Sequence, residues 1–272
     1  MRRAAPALVA FACASCGLIG GDPLADAADG LAAIRSGVLG FRLVAETEGG
    51  QEAGFFLRGA FSLPEGEELP IADFSYGRID SGDEPRTRFV STGDAAYLEI
   101  EGTAYELPPE TVSDLVGAAA PSEEGPFSHL EVTEWVDDPD ESEGRPLDEG
   151  SAPTTVISGE LDVVAALNDL FDLARDAGGF DLPPLDGEDA EMLRNAVEDA
   201  RVELVTADDV FRRLEVTVDL AGDAPGSLED PLADLLGVGF RLQVSIDEPN
   251  EPVTVDAPSD PRPIEELAPG LG

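Results

Sequence analysis

The stretch "FRRLEVTVDLAG" (residues 211–222) predicts a β-strand with one apolar side and one polar side. Apolar and polar residues alternate along it, and successive side chains of a strand point to opposite faces of a sheet. The apolar set is Leu214, Val216, Val218 and Leu220, and the polar set is Arg213, Glu215, Thr217 and Asp219. A strand of this kind needs a hydrophobic layer against its apolar face, so we expect a sheet that is covered on one side.

The same alternation recurs in other parts of the chain. In "GVGFRLQVSIDE" (237–248) the apolar set is Phe240, Leu242, Val244 and Ile246. In "EAGFFLRGAFSLP" (52–64) one side carries Phe55, Leu57, Gly59 and Phe61. Between residues 37 and 107, six such segments are separated by short turn sequences such as Gly49-Gly50. Short connections favour antiparallel neighbours, so these segments predict a meander.

Helical patterns lie around and between the two groups of strands. Apolar residues recur at helical spacing from Leu24 to Ile34, and the clearest helix is predicted over residues 162–177. Further helices are predicted over 108–120, over 187–198 and within 227–237. We expect the acidic segment 137–150, which contains Pro and Gly, to be a loop.

These elements together predict an α+β fold of a single large domain. Its centre would be a curved antiparallel β-sheet of about nine to eleven strands, because a sheet of that width does not stay flat. Several helices would pack on the concave face of this half-barrel. Whether the apolar interior between the two layers is solid or hollow is then the functional question.

The N-terminus has the order of a bacterial export signal. Arg2 and Arg3 precede a short apolar run, and small residues lead to Cys16 and Gly17. The segment around Cys16 resembles the lipobox of bacterial lipoproteins, although Cys13 stands where Leu or Val is usual. The alternative is a plain secretory cut that leaves no lipid on the protein.

The lipobox resemblance sets the expected organisation of the chain. We expect a signal peptide at 1–15, a lipidated tether at 16–24, one domain at 25–262 and a C-terminal tail at 263–272. Acyl chains such as palmitate on Cys16 would hold the mature protein on the extracytoplasmic face of the cell membrane, since two acyl chains anchor stably where one does not. No cysteine follows Cys16, so no disulfide supports the domain.

The charge excludes nucleic acid as a partner. All 16 basic residues are arginine, and 58 acidic residues give a formal net charge of −42. A chain this acidic is repelled by phosphate backbones, whose capture depends on Lys and Arg. It also needs its lipid tether to stay at an anionic membrane surface.

The sequence offers no catalytic or metal-binding motif, so we expect no enzyme activity, no cofactor and no metal. His129 is the one histidine, which leaves no pair of histidines for a metal. The acidic segment "DDPDESEG" (137–144) resembles a calcium loop only loosely, because Gly144 comes one position late. Trp135 is either a core residue or a ring at a cavity mouth that stacks on a sugar headgroup.

Several segments resemble the LppX/LprAFG-type lipoproteins of mycobacteria and related actinobacteria, which share the fold of the LolA/LolB lipoprotein carriers. The segments are "GFRL" (40–43), "GAFSLP" (59–64), "VSTGDAAYLEIEGTAYELP" (90–108), "EWVDDP" (134–139), "TTVISGELDVVAALNDL" (154–170) and "RRLEVTVDL" (212–220). The resemblance implies a curved sheet that encloses a hydrophobic cavity for acylated lipids. It further implies a non-enzymatic envelope protein that binds a lipid or glycolipid and carries or presents it across the envelope, with a membrane transporter as a partner.

Two other functions stay open at this point. One is a signalling or scaffold lipoprotein on the same fold, with a collapsed core and a protein partner. The other, more distant, is a hydrolase of envelope glycans that uses a pair of carboxylates.

The apolar faces nominate the residues that would line a lipid cavity. They come from the meander, the tryptophan segment, the helix at 162–177 and the last long strand. The candidates are Phe41, Leu43, Phe55, Leu57, Phe61, Phe74, Trp135, Val164, Leu167, Leu170, Phe171, Leu242 and Val244. The alternative role of each is a place in a closed core.

Overall fold

The computed structural model describes most of the predicted domain. The described residues are 22–47, 49–63, 69–79, 85–118, 127, 130–147, 152–176, 183–221 and 237–267. Cys16, His129 and the helix predicted within 227–237 lie outside these residues.

Twelve strands of the described residues form one large, curved, unclosed sheet. The strands are β1 (Ser36–Thr47), β2 (Glu52–Ser62), β3 (Ile71–Arg78), β4 (Pro85–Thr92), β5 (Ala96–Ile100), β6 (Thr103–Glu106), β7 (Val136–Glu143), β8 (Thr155–Leu161), β9 (Val197–Ala207), β10 (Val210–Leu220), β11 (Val238–Asp247) and β12 (Arg262–Pro263). Their order across the sheet is β12-β6-β5-β4-β3-β2-β1-β11-β10-β9-β8-β7.

Two antiparallel runs of strands meet in the middle of this sheet. Strands β1 to β6 form the predicted meander, and β7 to β11 form a second run. The runs join where β1 pairs with β11, with Leu43 opposite Leu242. Eleven strands are therefore antiparallel, at the top of the predicted range, and the two-residue β12 adds a parallel pair beside β6.

Of the acidic segment predicted as a loop over 137–150, residues 137–143 belong to strand β7, whereas the described residues 144–147 form no regular element. Strand β7 pairs with β8 on one side only and forms an edge of the sheet. Every residue of β7 after Val136 is exposed. No layer covers either face of this edge strand, so neither face needs apolar side chains. Its sequence therefore lacks the apolar alternation by which the other strands were predicted.

Strand β9 was also not predicted. The helix predicted over 187–198 ends at Ala196, two residues earlier than expected, because Val197 begins this strand. A tight turn joins β9 to β10, with Asp208 and Asp209 both at positive φ (52° and 62°). Asp tolerates this left-handed conformation, and two such residues in succession make the turn that fits the twist of a hairpin.

Five α-helices and one short 3-10 helix (Ile264–Glu266) lie in the described part of the chain. The α-helices are α1 (Pro23–Ala32), α2 (Pro109–Ala118), α3 (Val132–Trp135), α4 (Val163–Asp176) and α5 (Gly187–Ala196). Helix α1 begins within the segment predicted as a tether, and the Asp22 side chain accepts a hydrogen bond from the Leu24 N–H (3.1 Å). The Asp162 carboxylate caps α4 in the same way, accepting from Val164 and Ala165. Such caps satisfy N–H groups that a helix start leaves without partners.

The helices and the apolar face of the sheet share one core. Leu31 of α1 and Trp135 of α3 belong to the same buried cluster as Leu214 of β10. Helix α1 packs on β10, α3 contacts α4, and α4 contacts α5. The core therefore lies on one side of the sheet, which we call the inner face, and the opposite, outer face carries the polar set of β10.

Candidate functional site

A cavity of about 280 Å³ lies between the inner face of the sheet and helices α4 and α5. Its lining consists entirely of apolar side chains: Leu43, Trp135, Leu161, Val163, Ala166, Leu167, Leu170, Leu193, Ala196, Val216, Val218, Leu220, Phe240 and Leu242. A cavity with no polar lining does not hold ordered water well, because water needs two to four polar partners.

Three adjacent strands form the floor of the cavity. Val216 of β10 lies opposite Leu242 of β11, and Leu242 lies opposite Leu43 of β1. Val218 and Phe240 form the next cross-strand pair on the same face. Alternation with a period of two therefore turns three separate sequence segments into one continuous apolar surface.

Helices α4 and α5 form the roof. Val163, Ala166, Leu167 and Leu170 lie at positions i, i+3, i+4 and i+7 of α4, which places them on one side of the helix. Val163 and Ala166 are buried, whereas Leu167 and Leu170 are half-buried.

Trp135 forms a wall of the cavity and is 1% exposed. Its indole Nε1–H donates a hydrogen bond of 2.7 Å to Oδ2 of Asp169 on α4. The same carboxylate oxygen accepts the backbone N–H of Glu131, also at 2.7 Å. The ring is therefore buried and fixed in place, and it is not displayed at the surface to stack on a headgroup.

Three carboxylates gather beside this wall, outside the cavity lining. The pKa of Glu131 is raised, first by the charge of Glu134 and then by that of Asp169. The polar surroundings of the cavity are thus acidic, while the cavity itself carries no charge.

The structure brings five of the thirteen nominated residues together around the cavity. These are Leu43, Trp135, Leu167, Leu170 and Leu242. Val164 is buried in the core, Val244 packs against the core, and Phe171 is half-buried on α4. None of these three lines the cavity.

The remaining five nominated residues lie on β1, β2 and β3, beyond Leu43 on the inner face. They are Phe41, Phe55, Leu57, Phe61 and Phe74. The rings of Phe41 and Phe55 stack at 5.5 Å between centroids, and the Phe55 ring lies 6.0 Å from that of Tyr76. We call the surface formed by these five nominated residues the aromatic patch. It adjoins the cavity because Phe55 of the patch pairs with Leu43 of the cavity lining.

Nine lining residues were not nominated from the sequence: Leu161, Val163, Ala166, Leu193, Ala196, Val216, Val218, Leu220 and Phe240. Four of them were already assigned to the apolar face of β10 and β11, so the strand pattern contained the signal. Ala166 and Ala196 could not be found in this way, because small residues mark a cavity only when the opposing layer is known.

Neither a metal centre nor a membrane helix occurs in the part of the chain that the structure describes. No group of three His, Cys, Asp or Glu side chains in these residues is arranged to hold a metal ion. No helix among them is both long enough and apolar enough to cross a membrane.

Comparison with known proteins gives a likeness in architecture alone. No protein-family model matches the sequence, and no curated protein matches it significantly. Among solved structures, the chain is similar to LprF from Mycobacterium bovis, with 11% sequence identity and a TM-score of 0.38. The match covers 87% of this chain and 95% of the LprF chain.

Proposed function

We propose that this protein binds an acyl chain of a lipid or glycolipid in the cavity beneath α4. The observation that carries the proposal is a cavity of about 280 Å³ whose lining is apolar throughout. A dry apolar cavity attracts hydrocarbon because the hydrocarbon leaves water without any polar group losing a partner.

The volume of the cavity fits part of an acyl chain. A dry cavity of about 150 Å³ lined by aliphatic and aromatic residues accommodates benzene, which has six carbons. In proportion, 280 Å³ takes about ten or eleven carbons. Since burying each methylene contributes about 0.8 kcal/mol, such a segment would contribute roughly 8 kcal/mol before entropic costs.

The aromatic patch supports a site longer than the cavity. Leu43 lines the cavity and pairs with Phe55, whose ring stacks on Phe41. The carbons of a long chain that exceed the cavity would lie along this patch, where they stay shielded from water on one side.

The proposal places this site in the cell envelope. Lipid on Cys16 would anchor the protein on the extracytoplasmic face of the cell membrane, and the helices would cover the concave face of the sheet as in the LolA/LolB carriers. From there the protein would carry or present its lipid across the envelope, without catalysis, and exchange it with a membrane transporter.

The direct test uses the Cys16→Ala variant, which cannot be acylated at that position, purified without detergent. Native mass spectrometry should detect lipid bound to the folded protein. Trp135 is the only tryptophan in the chain and lines the cavity, so a brominated fatty acid should quench its fluorescence on binding.

A variant that fills the cavity provides the control. Ala166→Leu adds three carbons to the lining and should weaken fatty-acid binding by about thirty-fold, since it displaces roughly 2 kcal/mol of buried methylenes. Ala257→Leu, at an exposed position in the segment after β11, should leave binding unchanged. If no lipid co-purifies and no fatty acid quenches Trp135, the proposal is wrong, and recovery of a membrane protein by cross-linking would then favour a scaffold.

A further inference from the structure

A β-bulge in β10 points two consecutive arginines out of the same face of the sheet. Phe211 is 0% exposed and Leu214 is 3% exposed, so both side chains lie in the core although two residues separate them. The pairing with β9 accommodates this spacing by a register shift between Phe211 and Arg213. A bulge of this kind re-aims side chains, and here it places Arg212 and Arg213 together on the outer face.

Both arginines line a groove of about 1120 Å³ on that face, opposite the lipid cavity. Its walls come from separate parts of the chain. They include Ala207 at the end of β9, Ser245 of β11, Leu147 and Ala152 within the β7–β8 connection, and Pro249 and Pro252 after β11.

Both arginines have N–H donors for which no described residue provides a hydrogen-bond acceptor. One terminal nitrogen of Arg213 donates to Glu203 at 3.1 Å. The Nε atoms of Arg212 and Arg213 are buried, and neither has a hydrogen-bond partner among the described residues. A ligand in the groove cannot reach these buried Nε atoms, but both guanidinium side chains line the groove, and an oxyanion is the ligand that guanidinium donors match best.

Exposed carboxylates complete the lining of the groove. Asp208, Asp247, Glu248 and Glu251 all line it and are all exposed, whereas the two arginines are half-buried. A simple anion would be repelled by these four carboxylates. A molecule that carries a cationic group beside its oxyanion satisfies both sets of charges.

We propose that the Arg212–Arg213 groove binds a small zwitterionic molecule whose oxyanion contacts the two guanidinium groups and whose ammonium group faces the exposed carboxylates. The oxyanion is a carboxylate, as in an amino acid, or a phosphate, as in a phospholipid headgroup. This site is independent of the lipid cavity, which lies on the inner face.

Isothermal titration of the full-length Cys16→Ala protein with four probes tests the site. β-Alanine and phosphoethanolamine each pair an ammonium group with an oxyanion, whereas acetate and inorganic phosphate lack the ammonium group. At least one zwitterion should bind ten-fold or more tightly than the corresponding simple anion, and the preferred one identifies the source of the oxyanion. No binding by either zwitterion, or equal binding by the simple anions, would overturn the proposal.

Variants separate the groove from the general charge of the outer face. Arg212→Gln should weaken zwitterion binding at least ten-fold, while Arg241→Gln, an exposed arginine on β11 outside the groove, should change it less than two-fold. Arg212→Lys keeps the charge and should give an intermediate loss if the Gln variant does not fold. Equal effects of changing Arg212 and Arg241 would count against the site.

Discussion

Trp135 Nε1 and Glu131 N both lie 2.7 Å from one oxygen of Asp169. A single carboxylate on α4 thereby holds the start of α3 and the indole ring that forms a wall of the cavity. Trp135 forms a wall of the cavity and α4 forms part of its roof, so this carboxylate fixes the position of the wall relative to the roof.

Replacing Asp169 should loosen this wall. Asp169→Ala removes the acceptor of both hydrogen bonds and should lower the free energy of unfolding by about 3 kcal/mol, since bonds to charged groups contribute more than neutral ones. Asp169→Asn keeps a carbonyl oxygen and should cost less. Urea unfolding measures the stability, and the emission of the single tryptophan should shift in the Ala variant; an unchanged spectrum would show that Asp169 does not hold the ring.

Glu131 should make the stability depend on pH. Its pKa is raised above the ordinary 4.5 because Glu134 and Asp169 repel its ionised form. For a carboxyl with a raised pKa, the contribution to stability is most favourable below pH 4.5 and declines as the pH rises through the folded value.

Glu131→Gln removes this repulsion, so its melting temperature relative to the original protein should rise between pH 4 and pH 7. Glu52→Gln, an exposed carboxylate on β2, serves as the control and should show a smaller change. Parallel pH profiles for the two variants would contradict the assignment.

Gly59 permits a close approach between β2 and β3. A Cβ atom at this position would lie 1.9 Å from the carbonyl oxygen of Asp73, so the strands would have to separate. Gly59→Ala should therefore destabilise the protein by about 3 kcal/mol. A Cβ atom at Gly50 would have no other atom within 4 Å, and only the positive φ of 72° disfavours a side chain there. Gly50→Ala should therefore lower the free energy of unfolding by about 1 kcal/mol. Chemical unfolding of both variants would compare them directly.

The acidic edge strand β7 should keep copies of the protein apart. Charged residues on an edge strand prevent it from pairing with another strand. A triple variant, Asp140→Thr, Glu141→Val and Glu143→Val, should self-associate at concentrations where the original protein is monodisperse. Sedimentation velocity detects the change.

An equal loss of charge elsewhere serves as the control for that variant. Changing Glu188, Asp189 and Glu191 of α5 to the corresponding amides removes three carboxylates from exposed positions. If this control associates as strongly, the effect comes from net charge and not from the strand edge.

Much of the fold could be predicted because it depends on patterns within short segments. Alternation identified β2, β10 and β11, and helical spacing placed α4 within one residue at each end. Strand β7 escaped because it is exposed on both sides, and β9 escaped because its buried residues Val202 and Leu204 lie among charged neighbours.

The site was harder to predict for a different reason. A strand pattern shows which face is apolar but not how far an opposing helix stands from it. Phe41 and Leu43 lie on the same face of β1, yet only Leu43 lies under α4 and lines the cavity. The β-bulge at Arg212 could not be predicted either. The sequence shows two adjacent arginines but does not indicate that one of them is an extra residue in the strand pairing.

The pairing of β1 with β11 has a consequence for biogenesis. The first strand to leave the ribosome pairs with β2 at once, but it finds its second neighbour, β11, only when residue 247 has been made, some two hundred positions later. Contacts of such long range slow folding, and until they form the meander presents one unpaired margin to the surroundings. Completion of the sheet must therefore wait until nearly the whole chain has been made.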